Sequence, residues 1–76
     1  MKLIDRTIIA KNIYNSRISS KISRHDLAIK INVSSKSVYN WEKEKVFPNL
    51  IHILSLCNCF NRKVDEFLGI KKASVL

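Results

Sequence analysis

The sequence is poor in the residues that turn a chain sharply. In 76 residues there is one glycine, Gly69, and one proline, Pro48. An all-β fold needs many such turns, so this scarcity points to helices. Acidic side chains are also few, 6 against 14 lysines and arginines, which leaves a formal charge of +8. A field of that sign favours polyanions: DNA, RNA or an anionic membrane surface. No apolar run approaches the ~20 residues of a membrane span. The stretch Met1 to Ile9 is interrupted by Lys2, Asp5 and Arg6, unlike the apolar centre of a signal peptide. The expected location is therefore the cytoplasm.

Cysteine is limited to Cys57 and Cys59. Two positions apart on a helix, they point to different faces and cannot pair with each other. No second cysteine pair is present to complete a zinc site. His25 and His52 have no ligating partners at suitable spacing and are expected at the surface. Nor is there a nucleophile–base pair or a glycine-rich phosphate loop, so the sequence supports neither catalysis nor a cofactor or metal.

What is present is helical periodicity. Hydrophobic residues make up 46% of the chain, enough for a core. A first helix is expected over about Arg6 to Ser19, capped by Asp5, with Ile9, Ile13 and Arg17 on one face. A second opens at Ser23, where Ser23-Arg24-His25-Asp26 resembles a capping box. Leu27, Ala28 and Ile31 form its buried stripe, and Asn32 tolerates the left-handed conformation that ends a helix. A third begins at Ser34, with Val38 and Trp41 facing inward. Pro48 closes the following loop and Asn49 caps a fourth helix. Leu50, Ile53, Leu54, Cys57 and Phe60 there follow the i, i+3, i+4, i+7 pattern of a core helix. Asn61 stops it, and a short fifth helix, about Val64 to Leu68, ends at Gly69. These elements make one domain over residues 1–70, followed by a short tail at 71–76.

Two short helices joined by a tight turn at Asn32 and Val33 are the plan of a helix-turn-helix, at about residues 23–43. The motif needs a small residue where its helices touch, which Ala28 supplies. Apolar residues must flank the turn to set the crossing angle, which Ile31, Val33 and Val38 supply. It also needs a helix whose outer face can enter a groove. Ser35, Lys36, Tyr39 and Asn40 are placed there as candidates for contact with base edges. Arg24, Ser34, Ser37, Lys43 and Lys45 are candidates for contact with the phosphate backbone. Ile51 falls on the outer face of the fourth helix. With Val64, Ile70, Val75 and Leu76 it adds apolar surface toward the C-terminus, read as a homodimer contact.

Ile22-Ser23-Arg24-His25-Asp26-Leu27-Ala28, Val33-Ser34, Val38, Trp41-Glu42, Pro48-Asn49-Leu50 and Val64-Asp65-Glu66-Phe67-Leu68-Gly69 together resemble the Cro/CI-type (XRE) helix-turn-helix family. The resemblance runs from about Ile9 to Gly69. It implies an all-α, lambda-repressor-like bundle of about five helices. It also implies a transcriptional regulator, of the repressor kind found in phages and mobile elements, that binds double-stranded operator DNA as a dimer. An ion pair between Arg17 and Glu42 is implied as well. The family usually has glycine where this chain has Lys21, Asn32, Glu44 and Asn61. Asn suits that geometry, whereas Lys21 and Glu44 would each cost about 1 kcal/mol, so local differences are expected in the loops after the first and third helices. Glu44 is also a carboxylate close to where phosphates should lie. Alternative functions on the same fold are an antitoxin that represses its own operon and masks a toxin, and a protein-binding adaptor. A membrane-surface peptide fits poorly, because the apolar positions build a core.

Overall fold

The computed structural model describes residues 5–70, so the expected tail at 71–76, with Val75 and Leu76, lies outside the described residues. Those residues form five α-helices and no strand: α1 (Arg6–Ser19), α2 (Arg24–Ile31), α3 (Ser35–Glu42), α4 (Leu50–Phe60) and α5 (Val64–Leu68). The first four each start at a side-chain cap. Asp5, Ser23, Ser34 and Asn49 accept hydrogen bonds from the backbone N–H of Thr7, Asp26, Ser37 and His52 respectively. Each cap satisfies a donor that the first turn of a helix leaves open.

The helix ends follow one device. Lys21, Asn32, Glu44, Asn61 and Gly69 all have positive φ, between 53° and 74°. The next residue's N–H then reaches back five residues. Ile22 donates to the Arg17 carbonyl, Val33 to Ala28, Lys45 to Asn40, Arg62 to Cys57 and Ile70 to Asp65, at 2.9–3.2 Å. These are Schellman closures, which satisfy the last carbonyls of a helix. The loops after α1 and α3 therefore keep the glycine-type geometry, contrary to the expectation of local differences. Their hydrogen bonds hold Lys21 and Glu44 in a conformation that L-residues disfavour.

The core gathers Ile9 and Ile13 of α1, Leu27 and Ala28 of α2, Val38 and Trp41 of α3, Ile53, Leu56 and Cys57 of α4, and Phe67 of α5. The buried stripe of α4 differs from the one its periodicity suggests. Leu50 and Leu54 are exposed, Leu50 at 67%, while Leu56 is fully buried. The run Leu50 to Cys57 is apolar on more than one face, so two helical stripes fit its period, and contact with α2 and α5 selects the one through Ile53, Leu56 and Cys57. Val64 and Phe60 are half-buried against the core. His52 is also half-buried, its ring centroid 5.1 Å from that of Trp41, so it is not simply a surface residue. The Asn12 side chain donates to the Phe67 carbonyl at 2.8 Å and ties α1 to α5. Both cysteines are free, and burial pushes the Cys57 thiol up, with Arg62 pulling partly the other way.

Candidate nucleic-acid interface

The helices α2 and α3 pack against each other through the buried Ala28 and Val38, with Ile31 and Val33 beside them. Their first turns also meet: the His25 Nδ1 and Ser35 Oγ share a hydrogen bond of 3.3 Å. Two helix N-termini, each the positive end of a dipole, therefore lie side by side. Such ends attract anions. His25 has a neighbour that its position in the sequence did not reveal, because Ser35 is reached only through the crossing of the two helices.

The inward side of α3 is fixed strongly. Glu42 has a side chain only 2% exposed, and Arg17 one 8% exposed. Arg17 Nε donates to Glu42 Oε2 at 2.8 Å and its Nη2 to Oε1 at 3.2 Å. Its Nη1 donates to the Ile22 carbonyl at 3.0 Å, joining α1, α3 and the segment leading into α2. A buried carboxylate is tolerable only when paired and hydrogen-bonded in this way.

Arg24 adds a contact that sequence spacing could not give. Its Nε donates to Glu42 Oε1 at 2.9 Å, so one carboxylate serves two guanidinium groups. Arg24 remains 34% exposed and its guanidinium lies over the Tyr39 ring, 5.2 Å from the centroid. Lys43 and Lys45 place their ammonium groups 5.8 and 5.5 Å from the same centroid. The structure thus brings Arg24, Tyr39, Lys43 and Lys45 together.

The remaining candidates lie along the same helix. Lys36 is exposed and Ser35 and Asn40 are half-buried. Ser34 Oγ accepts from the Ser37 N–H at 3.1 Å and shares a second hydrogen bond with Ser37 Oγ at 2.9 Å, so both hydroxyls also serve the cap. Glu44 accepts a hydrogen bond from the Thr7 hydroxyl at 3.1 Å, which ties it to the first turn of α1.

Away from this surface, Ile51 is 71% exposed, and Leu50 and Leu54 on the same helix are exposed as well. Val64 and Ile70, expected to share that surface, are half-buried. Among the described residues no group of three or more His, Cys, Asp or Glu side chains converges on a metal position, and no helix is long and apolar enough to cross a membrane.

No family model and no curated protein matches the sequence. Among solved structures, the chain is similar to the P22 c2 repressor protein, determined in complex with synthetic operator 9T in the presence of Tl+. The TM-score is 0.75 at 25% identity, over 79% of this chain and 91% of that one. The all-helical fold described above is therefore shared with that repressor.

Proposed function

We propose that this chain is a transcriptional regulator that binds double-stranded DNA by inserting α3 into the major groove, and that it acts as a repressor. One observation carries this reading. A helix-turn-helix presents the polar face of α3 on a strongly cationic chain whose fold is shared with a repressor determined on its operator. In this reading α3 turns Ser35, Lys36, Tyr39 and Asn40 toward the duplex, with Ser35, Lys36 and Asn40 against the bases. Asn pairs bidentately with adenine, and Lys donates to guanine N7 and O6. Arg24, Ser34, Ser37, Lys43 and Lys45 face the phosphates, which set position without reading sequence. Such a role places the protein with its DNA in the cytoplasm.

The reading includes a symmetric homodimer. Ile51, with the exposed Leu50 and Leu54 beside it, supplies apolar surface on α4 for that contact, while Val64 and Ile70, also expected there, are half-buried and contribute less. Two copies of α3 would then meet successive major grooves about 34 Å apart. Sedimentation showing only monomer at high concentration, with and without DNA, would remove the dimer. The same aliphatic surface supports a second reading, an autorepressing antitoxin, for which a co-purifying toxin is the expected sign.

Selection from a random pool of duplexes tests the DNA reading. The expected product is one enriched, pseudo-palindromic site, bound with a log–log salt slope of about −0.9 per phosphate neutralised. A pool that stays random after several rounds would reject sequence-specific binding. Affinity independent of salt would reject the electrostatic part.

A further inference from the structure

Three cationic groups share one aromatic ring. The Arg24 guanidinium and the Lys43 and Lys45 ammonium groups lie 5.2, 5.8 and 5.5 Å from the Tyr39 centroid. A ring face is attractive to a cation at these distances, and Tyr is one of the better faces. The ring therefore offsets part of the repulsion among three like charges. The nearest carboxylate, Glu42, does little more, because it is already shared between Arg17 and Arg24. Glu44 accepts from the Thr7 hydroxyl and keeps its charge, so two carboxylates stand against four cations, Arg17, Arg24, Lys43 and Lys45. The cluster thus holds more positive charge than its carboxylates balance, on an exposed surface.

The two ends of Arg24 divide the work. Its Nε is committed to Glu42, which fixes the plane of the guanidinium. A guanidinium has five donors in a rigid fork, so its outer edge still offers donors to an anion. Lys43 and Lys45 follow directly on the end of α3. The Lys45 N–H closes that helix on the Asn40 carbonyl at 2.9 Å, which fixes the backbone from which its side chain extends.

We propose that Tyr39 is a positioning residue whose ring gathers Arg24, Lys43 and Lys45 into one site for a single DNA backbone phosphate, rather than a reader of base edges through its hydroxyl. This rests on the DNA-binding reading and names the part of the duplex that the cluster takes. The ring is the essential element and the hydroxyl is not. The site is sequence-blind, so base preference is left to Ser35, Lys36 and Asn40.

The test compares the native chain with Tyr39→Phe and Tyr39→Ala on a duplex recovered by selection. Tyr39→Phe keeps the ring and should match the native chain in affinity, salt slope and base preference. Tyr39→Ala should lose about tenfold in affinity on every duplex alike. Its salt slope should become shallower by about 0.9, the loss of one phosphate. Thermal melting of each variant separates this from unfolding, since a purely structural loss would move stability and leave the slope unchanged. A Tyr39→Phe change in preference at one base pair, or Tyr39→Ala binding like the native chain, would overturn the proposal. A second arm titrates inorganic phosphate against the 15N-labelled chain, following the Arg24 Nε resonance and the Lys43 and Lys45 amides. Phosphate-induced shifts in the native chain that vanish in Tyr39→Ala support the cluster even if no duplex binds, in which case only the DNA reading fails. No phosphate response and no duplex binding would overturn both.

Discussion

Helices α3 and α4 solve the same inward problem and differ completely on the outside. Each gives a few apolar side chains to one core, Val38 and Trp41 from α3, and Ile53, Leu56 and Cys57 from α4. The outward side of α3 carries Ser35, Lys36, Tyr39 and Asn40, with Lys43 and Lys45 just beyond it. The outward side of α4 carries Leu50, Ile51 and Leu54. The core cannot require this contrast, since neither set contributes to it. One outer surface is polar and cationic and the other aliphatic, which is the contrast on which the proposed DNA and dimer contacts rest.

The largest expected effect comes from removing what holds α3 in place. Glu42→Ala leaves Arg17 buried without its carboxylate and should destabilise the fold by about 3 kcal/mol in urea unfolding. A loss under about 1 kcal/mol would mean that packing of Val38 and Trp41 alone fixes the helix. Next come the outward residues of α3 and of the first turn of α2. Asn40→Ala should relax preference at one base position, by about 1–3 kcal/mol of discrimination, with little change elsewhere. Arg24→Ala should weaken all sequences alike, measured by competition between selected and scrambled duplexes. If the two variants behave the same way, reading and anchoring are not divided as described.

Lys21→Gly touches neither outer surface and serves as a control. It relieves a positive φ of 58° and should raise stability by about 1 kcal/mol. For a domain of this size that is about 5 °C in melting temperature. On α4, Ile51→Glu should abolish self-association in sedimentation while changing monomer stability by less than about 0.5 kcal/mol, because the side chain is exposed. The smallest effect is at Cys57. Burial raises its thiol above the ordinary value, so above that value the native state holds a proton that the unfolded chain releases. Its contribution is full below about pH 8 and is lost as pH rises through the folded value. Cys57→Ala should flatten that alkaline decline in melting temperature.

The local structure was largely legible in the sequence. Caps at Asp5, Ser23, Ser34 and Asn49, and stops at Asn32, Asn61 and Gly69, depend on residue types acting on their own backbone. The positive φ at Lys21 and Glu44 was not legible from chemistry, because nothing in those side chains favours it. Periodicity also misled on α4, where an apolar run satisfied two stripes and only the neighbouring helices chose between them. At the candidate site, the residues along α3 could be named from their spacing. The sharing of Glu42 by Arg17 and Arg24, and the convergence on Tyr39, could not. They depend on how α1, α2 and α3 cross, and no single stretch of sequence contains that information.

The contrast between the outer surfaces of α3 and α4 is tested most directly by 15N chemical-shift mapping with a selected duplex. Amide resonances of Arg24, His25, Ser34 to Asn40 and Lys43 to Lys45 should move on titration. Those of Ile51 and Leu54 should stay in place once the dimer is saturated. Shifts centred on Leu50 to Leu54, or none along α3, would contradict it.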